Sequence, residues 1–144
     1  MINGVEIISL NVIPKNNGRI IHHTKKTDNN FSEFGELYIS TFDQSTPKFW
    51  KKHSQMTCAL MVISGVVKFN FCNINNDIKF EESFSTITLS FDDFKKIVIA
   101  PGIWFTFQSV EPFNESAILN LADMEHKKNE GAKIPFEHLI IGKV

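Results

Sequence analysis

Residues 58–72, CALMVISGVVKFNFC, restrict the fold of this chain more than any other stretch. The run is apolar and β-branched up to Ser64-Gly65, where the glycine hinges it. Beyond the hinge Lys68 and Asn70 fall on one face and Phe69 and Phe71 on the other. The two halves are therefore expected to form two strands packed on a core.

The same grammar runs through the chain. Val5–Val12 reads as one strand ending near Pro14, with a turn at Asn16-Asn17-Gly18, and Gly18–Thr24 reads as the next. Phe34–Phe42 alternates. Asn73–Asp77 is expected to be a polar turn, and Phe84–Leu89 a strand. Ser90 is suited to cap a short turn through Asp92 and Asp93, whose carboxylates favour the positive end of a helical turn. Lys96–Ala100, Ile103–Val110 and Ser116–Ala122 complete the set, with a polar loop at Glu111–Glu115. The tail from Asp123 is charged, closes on Leu139-Ile140-Ile141, and is expected to pack against the body or a second subunit. Nine or ten short strands with almost no helical periodicity predict an all-β barrel or sandwich. At 144 residues and 42% hydrophobic composition, the chain has the size of one domain, residues 1–144.

The formal net charge of −1 provides no global field for nucleic acid or an anionic membrane, so anion binding would depend on local clusters such as Lys51-Lys52 or Lys95-Lys96. Cys58 and Cys72 lie in apolar strands and read as free thiols in a reducing cytoplasm. The first residues carry no basic and apolar leader pattern, and no apolar run approaches the roughly 20 residues of a membrane span.

Chemistry concentrates in Trp50-Lys51-Lys52-His53-Ser54-Gln55-Met56, which leads into the apolar strand. A histidine there is either part of a basic surface turn or a proton-transfer group, since imidazole titrates near neutrality. Glu36, Tyr38 and Ser40 share one face of their strand, which is either a solvated exterior or the wall of a polar cavity. His22 and His23 are adjacent on a strand and point to opposite sides, so they cannot chelate together. After His53 the next histidine is His126, too few ligands for a metal centre; neither metal nor cofactor is expected. Trp104, just past Pro101-Gly102, either packs or stacks on a ligand.

Four segments in this order resemble cupins related to dTDP-4-dehydrorhamnose 3,5-epimerase: Phe34–Tyr38, Trp50–His53 with Met56, Ala100–Gln108, and Leu119–His126. They lie within a resemblance running from about residue 4 to about residue 138. It implies a jelly-roll barrel with a short C-terminal tail, a metal-free cavity and a homodimer. It also implies proton abstraction beside the 4-keto group of a nucleotide-linked 6-deoxy sugar, used in surface polysaccharide synthesis. His53 matches the family's base. The family's enolate-stabilising lysine falls on Cys58. Its tyrosine falls within Asp123–His126, where no tyrosine stands, leaving Glu125 or His126 to carry a proton. The catalytic candidates are thus His53, Glu125 and His126, and the substrate-binding candidates Glu36, Tyr38, Trp50, Lys51, Lys52, Trp104 and Asn120. A nucleotide-sugar-binding cupin without turnover and a metal-dependent cupin are the alternatives.

Overall fold

The computed structural model describes residues 1–43, 45–74, 83–110 and 115–139. Within them the chain forms twelve strands: β1 (Val5–Ser9), β2 (Asn11–Lys15), β3 (Gly18–His22), β4 (Glu36–Phe42), β5 (Phe49–His53), β6 (Cys58–Ser64), β7 (Val66–Cys72), β8 (Phe84–Ser90), β9 (Lys95–Ile99), β10 (Trp104–Ser109), β11 (Ser116–Ala122) and β12 (Gly131–Pro135). They assemble into two five-stranded antiparallel sheets, ordered β1-β9-β6-β11-β4 and β12-β5-β10-β7-β8, with β2 and β3 as a separate ribbon. The architecture is the all-β jelly roll of cupins.

Period-two alternation decides what each sheet buries. Cys58, Leu60, Val62, Ile97, Ile99 and Ile118 from the first sheet meet Val67, Phe69, Phe71, Leu89 and Phe105 from the second in one core. Phe69 and Phe71 are both 0% exposed, as their place on the apolar face of β7 requires. The hinge between β6 and β7 is Gly65, at φ +78, and a Cβ there would collide with Ser116. Only glycine meets both demands. Gly65→Ala is therefore expected to cost about 2–3 kcal/mol, from strain added to overpacking, read as a lower denaturant midpoint at unchanged slope.

Ser90 caps a three-residue 3-10 turn, Phe91–Asp93: its amide donates to Asp93 Oδ2 at 2.7 Å. Three expectations are corrected. The single strand expected over residues 5–12 is two: β1 pairs with β9, while Leu10 N donates to Phe94 O and β2 turns away to pair with β3. Pro14 lies inside β2 opposite Arg19, tolerated because a two-stranded ribbon has a free edge for a residue without an N–H. Residues 131–135, read as charged tail, form a strand because β5 offers an open edge: Gly131 pairs with His53 and Pro135 with Phe49. The expected loop at Glu111–Glu115, the end of the turn at Asn73–Asp77 and the apolar end at Ile140-Ile141 lie wholly or partly outside the described residues. Among the described residues, no helix is long and apolar enough to cross a membrane.

β12 and the turn after it form a second, smaller core on the outer face of the second sheet. Trp50, 1% exposed, stacks on Phe136 at 5.7 Å and donates its indole N–H to Phe136 O at 3.0 Å. Cys72 and Leu139 complete this cluster, with Trp104 packed against it.

Candidate active site

A cavity of about 400 Å³ opens between the sheets. Alternation on β5 fixes which side chains reach it. Trp50 points to the outer core, so Lys51 and His53 point inward, and their inward neighbours on β10 are Phe105 and Phe107. From the first sheet, Tyr38 and Ser40 of β4, Leu60 of β6, and Ile118 and Asn120 of β11 supply the opposite wall. The Glu-Tyr-Ser face of β4 is thus turned towards the cavity.

His53 is held by a residue the sequence did not single out. Its Nδ1 lies 2.6 Å from Glu130 Oε2, and the carboxylate's other oxygen accepts the backbone N–H groups of Gln55 and Met56, each at 3.0 Å. Ser54 is tied to the same residue, donating its hydroxyl to Glu130 O at 2.7 Å. The Glu130 side chain is only 3% exposed. Burial alone would raise its pKa, but the His53 ring and the Met56 and Gln55 amides overcome that and bring it down to about 2. An ionised, buried carboxylate on Nδ1 fixes one tautomer: Nδ1 carries the proton and donates to Glu130, leaving the Nε2 lone pair free. His53 also stacks on Phe105, centroids 6.0 Å apart. Asn129, at φ 68, makes the left-handed step from which Glu130 enters the interior.

Among the described residues, four lysines line the cavity, Lys51, Lys52, Lys127 and Lys133, and no carboxylate does. None of the four is in an ion pair among the described residues. The Lys51 ammonium lies 5.4 Å from the Phe107 ring centroid, while that of Lys52 lies 4.6 Å from that of Trp104, on the other side of the strand. Burial, then the neighbouring Lys133 charge, lower the pKa of Lys51. A chamber with this lining attracts an anion and has one oriented base.

Of the sequence candidates, His53, Tyr38, Lys51, Lys52, Asn120 and His126 line the cavity. Asn120 Nδ2 donates to the Tyr38 hydroxyl at 2.7 Å, and burial raises the Tyr38 pKa. Glu36 begins β4 beside Ala122 and is not part of the lining. Glu125 is exposed and away from the lining, and His126 is an exposed residue at the rim. Trp50 and Trp104 belong to the outer core, since their strand positions point away from the cavity. Among the described residues no group of three or more His, Cys, Asp or Glu side chains is arranged to hold a metal ion.

No protein-family model and no curated protein matches the chain. Solved structures do. A dTDP sugar isomerase from Desulfovibrio desulfuricans G20 is 26% identical with a TM-score of 0.81, over 93% of this chain and 85% of that one. A 3,4-ketoisomerase from Thermoanaerobacterium thermosaccharolyticum, solved with TDP-4-keto-6-deoxyglucose, is 20% identical with a TM-score of 0.74, over 92% and 88%. At 12% identity, a dTDP-4-dehydrorhamnose 3,5-epimerase from Bacillus anthracis shares the fold, with a TM-score of 0.79 over 96% and 83%. Jelly-roll topology and these likenesses agree: the chain has the cupin fold of dTDP-sugar isomerases and epimerases and is similar to them along most of its length.

Proposed function

We propose that this protein is a sugar-nucleotide isomerase or epimerase acting on a TDP-linked 4-keto-6-deoxy sugar in the cytoplasm, on a route to surface polysaccharide. The observation that carries the reading is the His53–Glu130 pair at 2.6 Å, facing a cavity lined, among the described residues, by four lysines and no acid. Glu130 holds the His53 tautomer whose Nε2 can take the proton from the carbon next to the ketone. The lysines neutralise the diphosphate, and the phenylalanines Phe105 and Phe107 offer apolar surface to the sugar or base. Asn120 orients the Tyr38 hydroxyl, which is placed to contact the sugar from the opposite wall.

The direct test is incubation with TDP-4-keto-6-deoxyglucose in D₂O. Deuterium is expected at a carbon adjacent to the ketone, detected by mass and by proton NMR. If TDP stabilises the protein against heat but no carbon exchanges, the second reading stands: a cupin that holds a nucleotide sugar without turning it over. That alternative draws on the same lysines.

The protein acts as a homodimer in this reading. Its support is the outer face of edge strand β4, where Leu37 and Ile39 are 55% and 56% exposed, with Phe34 beside them at 66%. Apolar area of this kind on a sheet edge is suited to cover by a second subunit.

A further inference from the structure

β5 stays beside β10 for only two residues. Lys52 and Lys51 pair with Trp104 and Phe105, but among the described residues Trp50 and Phe49 pair with β12 alone, while β10 continues beside β7 as far as Ser109. The sheet opens where the two strands part. A notch of about 170 Å³ lies there, lined by Lys48, Phe49, Lys51, Thr106, Phe107 and Lys133. Lys51, Phe107 and Lys133 belong to the inward faces of their strands and Thr106 to the outward face of β10, as a gap through a sheet requires and a hollow on one face does not. The same three inward residues line the main cavity, so the two spaces adjoin. Gln108 Nε2 donates to Ser45 O at 2.7 Å and so ties the segment leading to Lys48 to β10.

We propose that this notch binds the diphosphate of the nucleotide sugar, with the sugar inside the cavity and the nucleoside outside against Phe49. The choice of ligand rests on the sugar-nucleotide reading above; the anion site stands on its own geometry. The Lys51 ammonium lies 5.4 Å from the Phe107 ring centroid, one strand repeat past Phe105, the ring on which His53 stacks. It therefore points away from the base and towards the notch. Lys133 is registered directly opposite Lys51 on the same face, and like charges so placed repel. Burial, then that repulsion, lower the pKa of Lys51. Neither lysine, nor Lys48, has an ion-pair partner among the described residues, so a dianion between them relieves a cost the empty notch carries. The chain's one arginine, Arg19, stands on the β2–β3 ribbon over Phe94, which leaves a diphosphate to the lysines. Two strand positions separate Lys51 from His53, about 7 Å between Cα atoms, so one sugar ring can reach from the notch to the base. Phe49 is 47% exposed, and its ring offers a face on which a nucleobase can stack.

The test is calorimetry with inorganic pyrophosphate and, separately, TDP. Lys48, Lys51 and Lys133 are exposed residues, so no variant removes a core side chain. Lys51→Met and Lys133→Met are each expected to weaken pyrophosphate binding about tenfold or more. Lys15→Met, on the ribbon, controls for net charge and is expected to change it less than twofold. Lys52→Met, whose ammonium lies over Trp104, is expected to change it less than threefold. Phe49→Ala is expected to weaken TDP binding about fivefold or more and leave pyrophosphate binding unchanged. No measurable pyrophosphate binding by the unaltered protein would overturn the proposal. So would a larger loss from Lys127→Met or Lys52→Met than from Lys133→Met, which would put the anion elsewhere in the cavity. An equal loss of both ligands in Phe49→Ala would overturn the placing of the nucleoside. Pyrophosphate bound at these lysines with no deuterium exchange into TDP-4-keto-6-deoxyglucose would instead sink the isomerase reading and leave the anion site in place.

Discussion

His53→Asn is expected to reduce deuterium exchange into TDP-4-keto-6-deoxyglucose by about a thousandfold, within the range of a positioned general base, while TDP still binds. The asparagine has no lone pair of comparable basicity to present to the cavity. It can still donate to Glu130, whose second oxygen keeps its bonds from Gln55 and Met56. The fold should therefore persist, and a circular dichroism melt within a few degrees of the unaltered protein is the control. More than a tenth of the original exchange rate in the variant would remove His53 from the role of base.

Glu130 makes a larger claim, because it is expected to affect both stability and activity. Glu130→Ala removes a buried carboxylate and leaves the Gln55 and Met56 amides and the His53 Nδ1–H without their acceptor, a loss of about 3 kcal/mol. Glu130→Gln separates the two effects. Its amide oxygen can keep the two backbone bonds, but its NH₂ now faces His53 Nδ1. The ring must then accept at Nδ1 and carry its proton on Nε2, the wrong tautomer for a base. Exchange is expected to fall by about 100-fold or more, with a stability loss of only about 1 kcal/mol. Equal stability losses in the two variants, or full exchange in the glutamine variant, would show that Glu130 does not set the tautomer.

The same residue gives the protein an acid limit. Folding lowers its pKa from 4.5 to about 2. A group depressed in the folded state contributes stability that is fully present above its unfolded value and is lost as the pH falls through the folded one. The unaltered protein should therefore lose stability between about pH 4.5 and pH 2 in a titration of its denaturation midpoint, and Glu130→Gln should flatten that slope.

Much of the fold was legible because it is written in period two. β6, β7, β10 and β11 each announce themselves within a few residues, and Gly65 marks the hinge between two of them. What was not legible depends on pairing at a distance. Gly131–Pro135 has too little apolar content to read as a strand; it becomes one because β5 has an edge to fill. Glu130 and His53 are 77 positions apart, so nothing local to either signals the other. The faint clue was an acid before a glycine in a segment otherwise rich in lysine. Trp50 shows the reverse case. It stands three residues before His53, and alternation alone assigns it to the opposite face of the strand. Its aromatic character and the family resemblance drew it into the substrate-binding set, whereas the structure gives it to the outer core. Glu125 and His126 enter through the place of the family's tyrosine, which falls in a loop here, and a loop does not fix the direction of a side chain as a strand does.

The pairing of β12 with β5 also sets a timetable. During synthesis, residues 1–129 can complete the inner core while β5 still presents an unpaired edge and His53 has no carboxylate to orient it. Only when residues 130–136 dock are that edge covered, the Trp50 indole capped by Phe136 O and the His53 ring held by Glu130. One late event thus closes an open sheet edge and brings Glu130 to His53, so a chain without residues 130–136 has no carboxylate to orient that ring.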